Sequence, residues 1–331
     1  MLRLFKNSHP LILIFIPILS GITAFSNFPQ KIDIAHAQEN IGISTYLIKF
    51  IAESGITYLL PLTTFVLLIL LSLLLIRLDF TLNFSGQRNF LTPLIFLILT
   101  GFSKSDELLI PVLISLLALV PVFFLLNNSN RKDFAADEYF KAGILTALSA
   151  CFYPKYAWYL IFIFLSLLTI RPMIWREWAA VVMGFITPYL IIFPVIFMIS
   201  GTVPVKNFTI IPDFYGLTIP KNHSFFSLFL ILDFVLLIII SIYFLFRQYP
   251  SLNILKRKIF RLFFFFFIFA WIINFLSNQM NIESMISAAI PVSFLISYYF
   301  MGTKKKIFSE ILFDLFIALF IGSQIFTQIC F

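Results

Sequence analysis

Long apolar stretches separated by short polar ones set out the plan of this chain. Eleven stand out: Leu11–Phe25, Ile56–Ile76, Leu91–Phe102, Leu108–Leu126, Ala142–Phe152, Ala157–Ile170, Ala179–Ile199, Phe225–Phe246, Ile259–Leu276, Ser284–Phe300 and Ile307–Gln328. Each predicts a helix in lipid, because a straight crossing of the hydrocarbon layer takes about 20 mostly apolar residues. The third and fifth stretches are shorter and are expected to be kinked, extended into their flanks or re-entrant. Pro61, Pro93, Pro111, Pro121, Pro188, Pro194 and Pro291 fall in or near the stretches, where neighbouring helices can satisfy the carbonyls a proline frees. The predicted fold is all-α: a polytopic helical membrane protein, one transmembrane domain over residues 1–331, with about 11 transmembrane helices.

The hairpin from Lys141 to Trp178 shows the pattern most clearly. Its first run carries Ala142, Gly143, Ala147, Ser149 and Ala150, small residues that let helix backbones approach inside lipid. A Tyr153-Pro154-Lys155-Tyr156 corner follows, and then a bulky run read as a lipid-facing cover. The Phe263–Phe267 run is read as lipid-facing bulk too. Between the first two stretches, the segment Ile41–Ser54 has helical apolar spacing with polar interruptions and is expected to lie along the membrane surface. The segment Gly201–Ser224, with Pro204, Pro212, Gly216 and Pro220, is expected to be irregular.

Composition agrees with a lipid medium: 61% hydrophobic and only 11% charged, against about 25% charged in soluble domains. The net charge of +8 would suggest nucleic acid in a soluble protein. Here topology explains it, and no nucleic-acid partner is expected. With an inside N-terminus, only Lys31, Lys49, Lys104, Lys155, Lys206 and Lys221 of the 23 lysines and arginines fall outside. The other seventeen, every cluster among them, fall on the inner side, as the positive-inside rule requires. That asymmetry predicts an N-in, C-out chain in a bacterial inner membrane. The opening MLRLFKNSHP and the run after it have the form of a signal peptide, with a weak cleavage site at Ala35 and Ala37. Retaining this segment as the first span keeps the charge pattern consistent. Cys151 and Cys330 are too far apart in sequence to suggest a disulfide framework or metal spacing. His9, His36 and His223 are too few and scattered for a histidine-ligated metal; no metal or cofactor is expected.

Few charged groups enter the apolar stretches. Asp233 sits in the middle of the eighth, where a charge costs about 2.5–3.5 kcal/mol on insertion scales. It reads either as a proton or cation site or as a hydrogen-bonded tie between helices. Glu310 and Asp314 share a helix face beside Lys304–Lys306 and read as interfacial pairs. Arg171, Arg176 and Glu177, interleaved with Trp175 and Trp178, form an interface anchor able to grip an anionic lipid head group. On the outer side lie Asp33, Glu39, Glu53, Asp106, Glu107, Asp213 and Glu283, with Lys104 and Lys155 at the ends of short stretches. A carboxylate base opposite a lysine suits sugar transfer from a lipid phosphate: the base takes a proton from the acceptor, and the cation offsets charge on the leaving phosphate.

Two resemblances rest on particular residues. The pattern Gly143…Ala147…Tyr153-Pro154-Lys155-Tyr156-Ala157 resembles the small-residue helix ending in lysine of polyprenyl-phosphate-dependent, multi-spanning glycosyltransferases of the GT-C type. That likeness, over about the first 200 residues, implies a GT-C-like arrangement. Asp33 or Glu39 would be the catalytic base in the first outer loop. Lys155 would be a phosphate contact, and a polyprenyl-phosphate-linked sugar the partner. The chain lacks the paired Asp-Glu or Asp-Asp of many members and their large C-terminal domain. The phrases RPMIWREW…GFITPYLI and IPVSFLISYYF…KKKIFSEILF resemble an uncharacterised inner-membrane family of Bacteroidota-type bacteria over nearly the whole chain.

Three functions are compatible with these readings. The first is a protein of cell-envelope glycan assembly, as a glycosyltransferase or an inactive relative. The second is a transporter or flippase, and the third a non-catalytic membrane scaffold. Membrane lipids are the expected surroundings of all three.

Overall fold

The computed structural model describes residues 13–26, 43, 59–82, 90–101, 109–130, 132, 134–171, 174–200, 225–276, 286–303 and 306–329. Among them are eleven α-helices and no strand: α1 (Phe15–Ser26), α2 (Leu59–Leu82), α3 (Leu91–Thr100), α4 (Leu109–Ser129), α5 (Ala136–Phe152), α6 (Tyr159–Ile170), α7 (Trp175–Ser200), α8 (Phe225–Gln248), α9 (Ile254–Leu276), α10 (Ile286–Gly302) and α11 (Lys306–Ile329). Each falls on one of the eleven apolar stretches. Four helical segments are long and apolar enough to cross a membrane by length and composition: Leu59–Leu82, Leu109–Ser129, Trp175–Met198 and Asp233–Ser251. The two short stretches resolve differently. The fifth is extended at its start into a 17-residue helix. Helix α3 keeps 10 residues, all buried; at 1.5 Å per residue it covers about 15 Å, half the hydrocarbon thickness.

Hydroxyls inside these helices do not open them to solvent. Thr64, Ser72, Thr146 and Ser166 each donate to a carbonyl three or four residues back, which satisfies a polar group without a partner helix. Helix α5 packs between α4 and α7, and α2 joins α4 to α1 and α3. Helix α10 packs against α3, α8 and α9, while α8 also packs on α11. At the crossing of α5 and α7 two glycines remove the bulk that would hold the helices apart. A Cβ on Gly143 would strike the Val181 carbonyl and lie 2.9 Å from the Phe185 nitrogen, and one on Gly184 would strike the Phe140 backbone.

Aromatic rings join the helices at the centre. Phe123 of α4 stacks on Phe263 of α9 at 4.9 Å and tilts on Phe266 at 5.1 Å. Phe266 stacks on Tyr159 of α6 at 4.7 Å, and Phe263 meets Phe294 of α10 at 4.6 Å. The five-phenylalanine run is therefore divided: Phe263 and Phe266 are buried and Phe264 is exposed. The expectation that the whole run faces lipid is corrected, because residues three apart on a helix share a face. For the same reason α6 is no simple cover: Tyr159, Phe162, Ile163, Ser166 and Leu167 are buried, and Ile161 and Leu168 are exposed.

Contacts at the helix ends show which of these ends lie together. Lys258, at the start of α9, donates to the carbonyl that ends α6, and the Tyr298 hydroxyl near the end of α10 donates to Gln248, which ends α8. One end of the bundle thus carries Arg171, Lys258 and Gln248; the other carries the Lys155 corner.

Candidate functional site

At the Arg171 end, five helices meet in a polar cluster. The last carbonyls of a helix have no partner within it and carry partial negative charge. Arg171 donates through Nη1 to the Ser129 carbonyl that ends α4, at 3.2 Å, and Lys258 donates to the Ile170 carbonyl that ends α6, at 2.9 Å. Lys258 also donates to Asn130 at 3.0 Å. Arg171 Nη1 lies 3.2 Å from Glu177 Oε1, with the two side chains 11% and 2% exposed. The same oxygen accepts the Ala135 N–H, just ahead of α5, at 3.2 Å. Ser129 and Tyr139 share a hydrogen bond of 3.1 Å, and Lys132 pairs with Glu138 at 2.6 Å. Lys141 pairs with Asp137 at 2.7 Å on the exposed face of α5, and that hydrogen bond holds the Asp137 carboxyl below its ordinary value. Glu177 Oε2 and Trp178 Nε1 are buried without a hydrogen-bond partner among the described residues.

Arg171, expected as a lipid-phosphate contact, is therefore also a clamp between helix ends. Arg176, the other expected contact, is exposed. Beside it Trp175 is exposed and Trp178 stacks on Phe164 at 5.0 Å, the arrangement of an interface anchor.

The Lys155 end is built differently. Helix α5 stops at Phe152, and Pro154–Trp158 form a 3-10 turn leading into α6. Three residues per turn bring side chains at i and i+3 into line, so Tyr153, Tyr156 and Tyr159 stack edge-to-face with ring centroids 4.9 and 5.2 Å apart. The hydroxyls of Tyr156 and Tyr159 turn toward Ser287 in the first turn of α10. Neither closes a hydrogen bond among the described residues. Lys155, in the same turn, is half-buried. Ile43, from the segment between α1 and α2, donates its N–H to the Cys151 carbonyl at 2.9 Å. That bond ties the first interhelical segment to the end of α5, beside this turn.

Asp233 is buried in α8, with Oδ2 unpartnered among the described residues. Register fixes its level. Helices α8 and α10 run in the same direction, matched where Phe244 meets Tyr298 at 6.1 Å and Tyr299 at 5.5 Å. Asp233 lies eleven residues, about three turns, before Phe244, away from the end that carries Gln248. Asp33, Glu39 and Lys104, and the segments Ile41–Ser54 (apart from Ile43) and Gly201–Ser224, lie outside the described residues.

Sequence reasoning missed three features. Asp79, near the end of α2, is 2% exposed with neither carboxylate oxygen partnered among the described residues; its signal was an acid just past the second apolar stretch, two residues after Arg77. Lys258 reads as one of a basic cluster, and nothing local marks it as the cap of α6. The Tyr156–Tyr159–Ser287 convergence joins residues far apart in sequence, although the three-residue spacing of the tyrosines was visible.

Apolar helices, four of them of spanning length, define the class: a helical membrane-type bundle. Within that class the chain belongs to a family of unknown function, DUF6427, whose family model matches residues 40–329. No curated protein and no solved structure matches the chain.

Proposed function

We propose that this is a multi-pass inner-membrane protein of cell-envelope glycan assembly, handling a lipid-phosphate-linked sugar at its outer face. In this reading all eleven helices belong to the membrane domain, the Arg171 end is cytoplasmic and the Lys155 end faces outward. The distribution of lysine and arginine along the chain supports that orientation. The observation that carries the functional reading is the Ile43–Cys151 hydrogen bond. It joins the segment bearing the expected base to the end of α5, four residues before Lys155. Asp33 and Glu39, ten and four residues before Ile43 in the chain, are the candidate bases. Lys155 would then offset charge on the leaving phosphate. Complementation of a deletion strain tests this. The Asp33→Asn/Glu39→Gln double variant and Lys155→Ala should each abolish function at normal expression; wild-type growth of both would remove the enzymatic reading and leave a non-catalytic scaffold.

A transporter or flippase is the second reading, favoured by the buried, unpartnered Asp233 oxygen, since intramembrane acids often mark ion or proton paths. Asp233→Asn should then be well folded and inactive, whereas full activity would rule out a charge-carrying role.

A further inference from the structure

We infer that the outward stripe of α9 ends in a site for the phosphate of an anionic phospholipid, held between Arg257 and Arg261. The inference goes beyond the proposed function, since it needs only that the helices lie in a bilayer, whichever face of it the Arg171 end occupies.

Ile254, Arg257, Arg261, Phe264 and Trp271 recur at intervals of three, four, three and seven residues, so they fall along one side of α9. Phe264 is 59% and Trp271 45% exposed, and Arg261 is exposed with them, whereas Phe260, Phe263, Phe266 and Ile273 are buried. The stripe is thus apolar and outward along most of its length and turns basic toward the start of the helix. Ile254, beyond the arginines, is 73% exposed. Exposed apolar surface therefore bounds the basic pair at both ends, as it does in a site at a lipid interface.

Arg261 lies seven residues in from Ile254, about 10 Å along the axis. At that depth an arginine lays its stem along apolar surface and carries its charge toward the head groups. That course takes it toward Arg257, one turn nearer the helix start. Arg257 is already held in place. Its Nε donates to the Leu252 carbonyl at 2.9 Å and its Nη2 to the Pro250 carbonyl at 2.7 Å, and the guanidinium lies over the Tyr249 ring at 5.7 Å. Like charges four residues apart on a helix repel, and the chain has no aspartate or glutamate between Asp233 and Glu283 to separate them. Neither arginine pairs with an acid among the described residues. The anion that a bilayer supplies at this level is the lipid phosphate, whose oxygens match the planar fork of arginine. A head group of net negative charge is favoured over a zwitterionic one, whose cationic end the same arginines repel.

Native mass spectrometry of the full-length protein, titrated in detergent with phosphatidylglycerol, phosphatidylcholine or inorganic phosphate, tests this. Wild type should bind phosphatidylglycerol more tightly than phosphatidylcholine. Arg261→Gln should weaken phosphatidylglycerol about fivefold, the share of one basic residue at a charged lipid surface, with phosphatidylcholine binding and the melting temperature in lipid-free detergent unchanged. Arg261→Lys, which keeps the charge without the fork, should fall between the two. Lys141→Gln, which removes an exposed cation from the same end of the bundle, should bind phosphatidylglycerol as wild type does. Equal losses in Arg261→Gln and Lys141→Gln would make the attraction a diffuse property of the basic end, and overturn the site. Unchanged phosphatidylglycerol affinity in Arg261→Gln overturns it too, as does saturable binding of inorganic phosphate without any preference for phosphatidylglycerol over phosphatidylcholine.

Discussion

Gly143 and Gly184 meet where α5 crosses α7, each lying against the backbone of the opposite helix. In lipid the hydrophobic effect does not drive helices together, so close approach and dispersion must hold the crossing. Gly143→Ala should destabilise by about 1–3 kcal/mol, the range for overpacking, because the added Cβ meets the Val181 carbonyl and backbone cannot move aside as a flexible side chain can. Thermal unfolding in detergent checks it; an unchanged melting temperature would mean that the two helices separate freely.

Arg171 and Glu177 make a buried ion pair that also fastens α4 and the start of α5. Removing one partner of such a pair costs about 3–5 kcal/mol, whereas replacing both with apolar residues is often near neutral. Arg171→Met should therefore fail to accumulate or melt much lower, and Arg171→Met/Glu177→Met should recover part of the loss. If the double variant is worse than either single one, the capping of Ser129 and Ala135 outweighs the ion pair.

Two phenylalanines two positions apart should behave differently. Phe266→Ala leaves a hole among Phe123, Tyr159 and Phe162, costing on the order of 2 kcal/mol through the cavity. Phe264, 59% exposed, faces outward, and Phe264→Ala should change stability by less than about 0.5 kcal/mol. Equal losses would place both rings in the interior.

Orientation can be read with a membrane-impermeant maleimide. In a cysteine-free background, Lys221→Cys should be labelled in intact spheroplasts and Arg176→Cys only after permeabilisation. The reverse pattern would invert the chain and move Lys155 to the cytoplasmic face, ending the glycan-assembly proposal.

Much of this architecture was legible because lipid tolerates so little. A backbone in hydrocarbon must bond to itself, so runs such as Leu59–Leu82 and Leu109–Ser129 had one secondary structure available to them. The small residues around Gly143 signalled a close crossing for a related reason: only small side chains allow one. The chemistry was harder to read. Asp233 could be singled out by its cost, and Arg171 by its aromatic neighbours, but their partners come from other helices. Glu177, Ser129 and Lys258 gather around the ends of α4 and α6 only once five helices are assembled.

By itself, then, the sequence determined that the described residues are helical, where the eleven helices among them fall and which residues are costly to place in lipid. Only the tertiary structure decided which side of each helix faces inward. An apolar helix in an apolar solvent has no face that burial favours, so Phe263 and Phe264 cannot be told apart until a neighbour such as Phe123 is present to receive one of them. The Tyr156–Tyr159–Ser287 cluster was settled in the same way, because its members meet only when α10 starts beside the 3-10 turn.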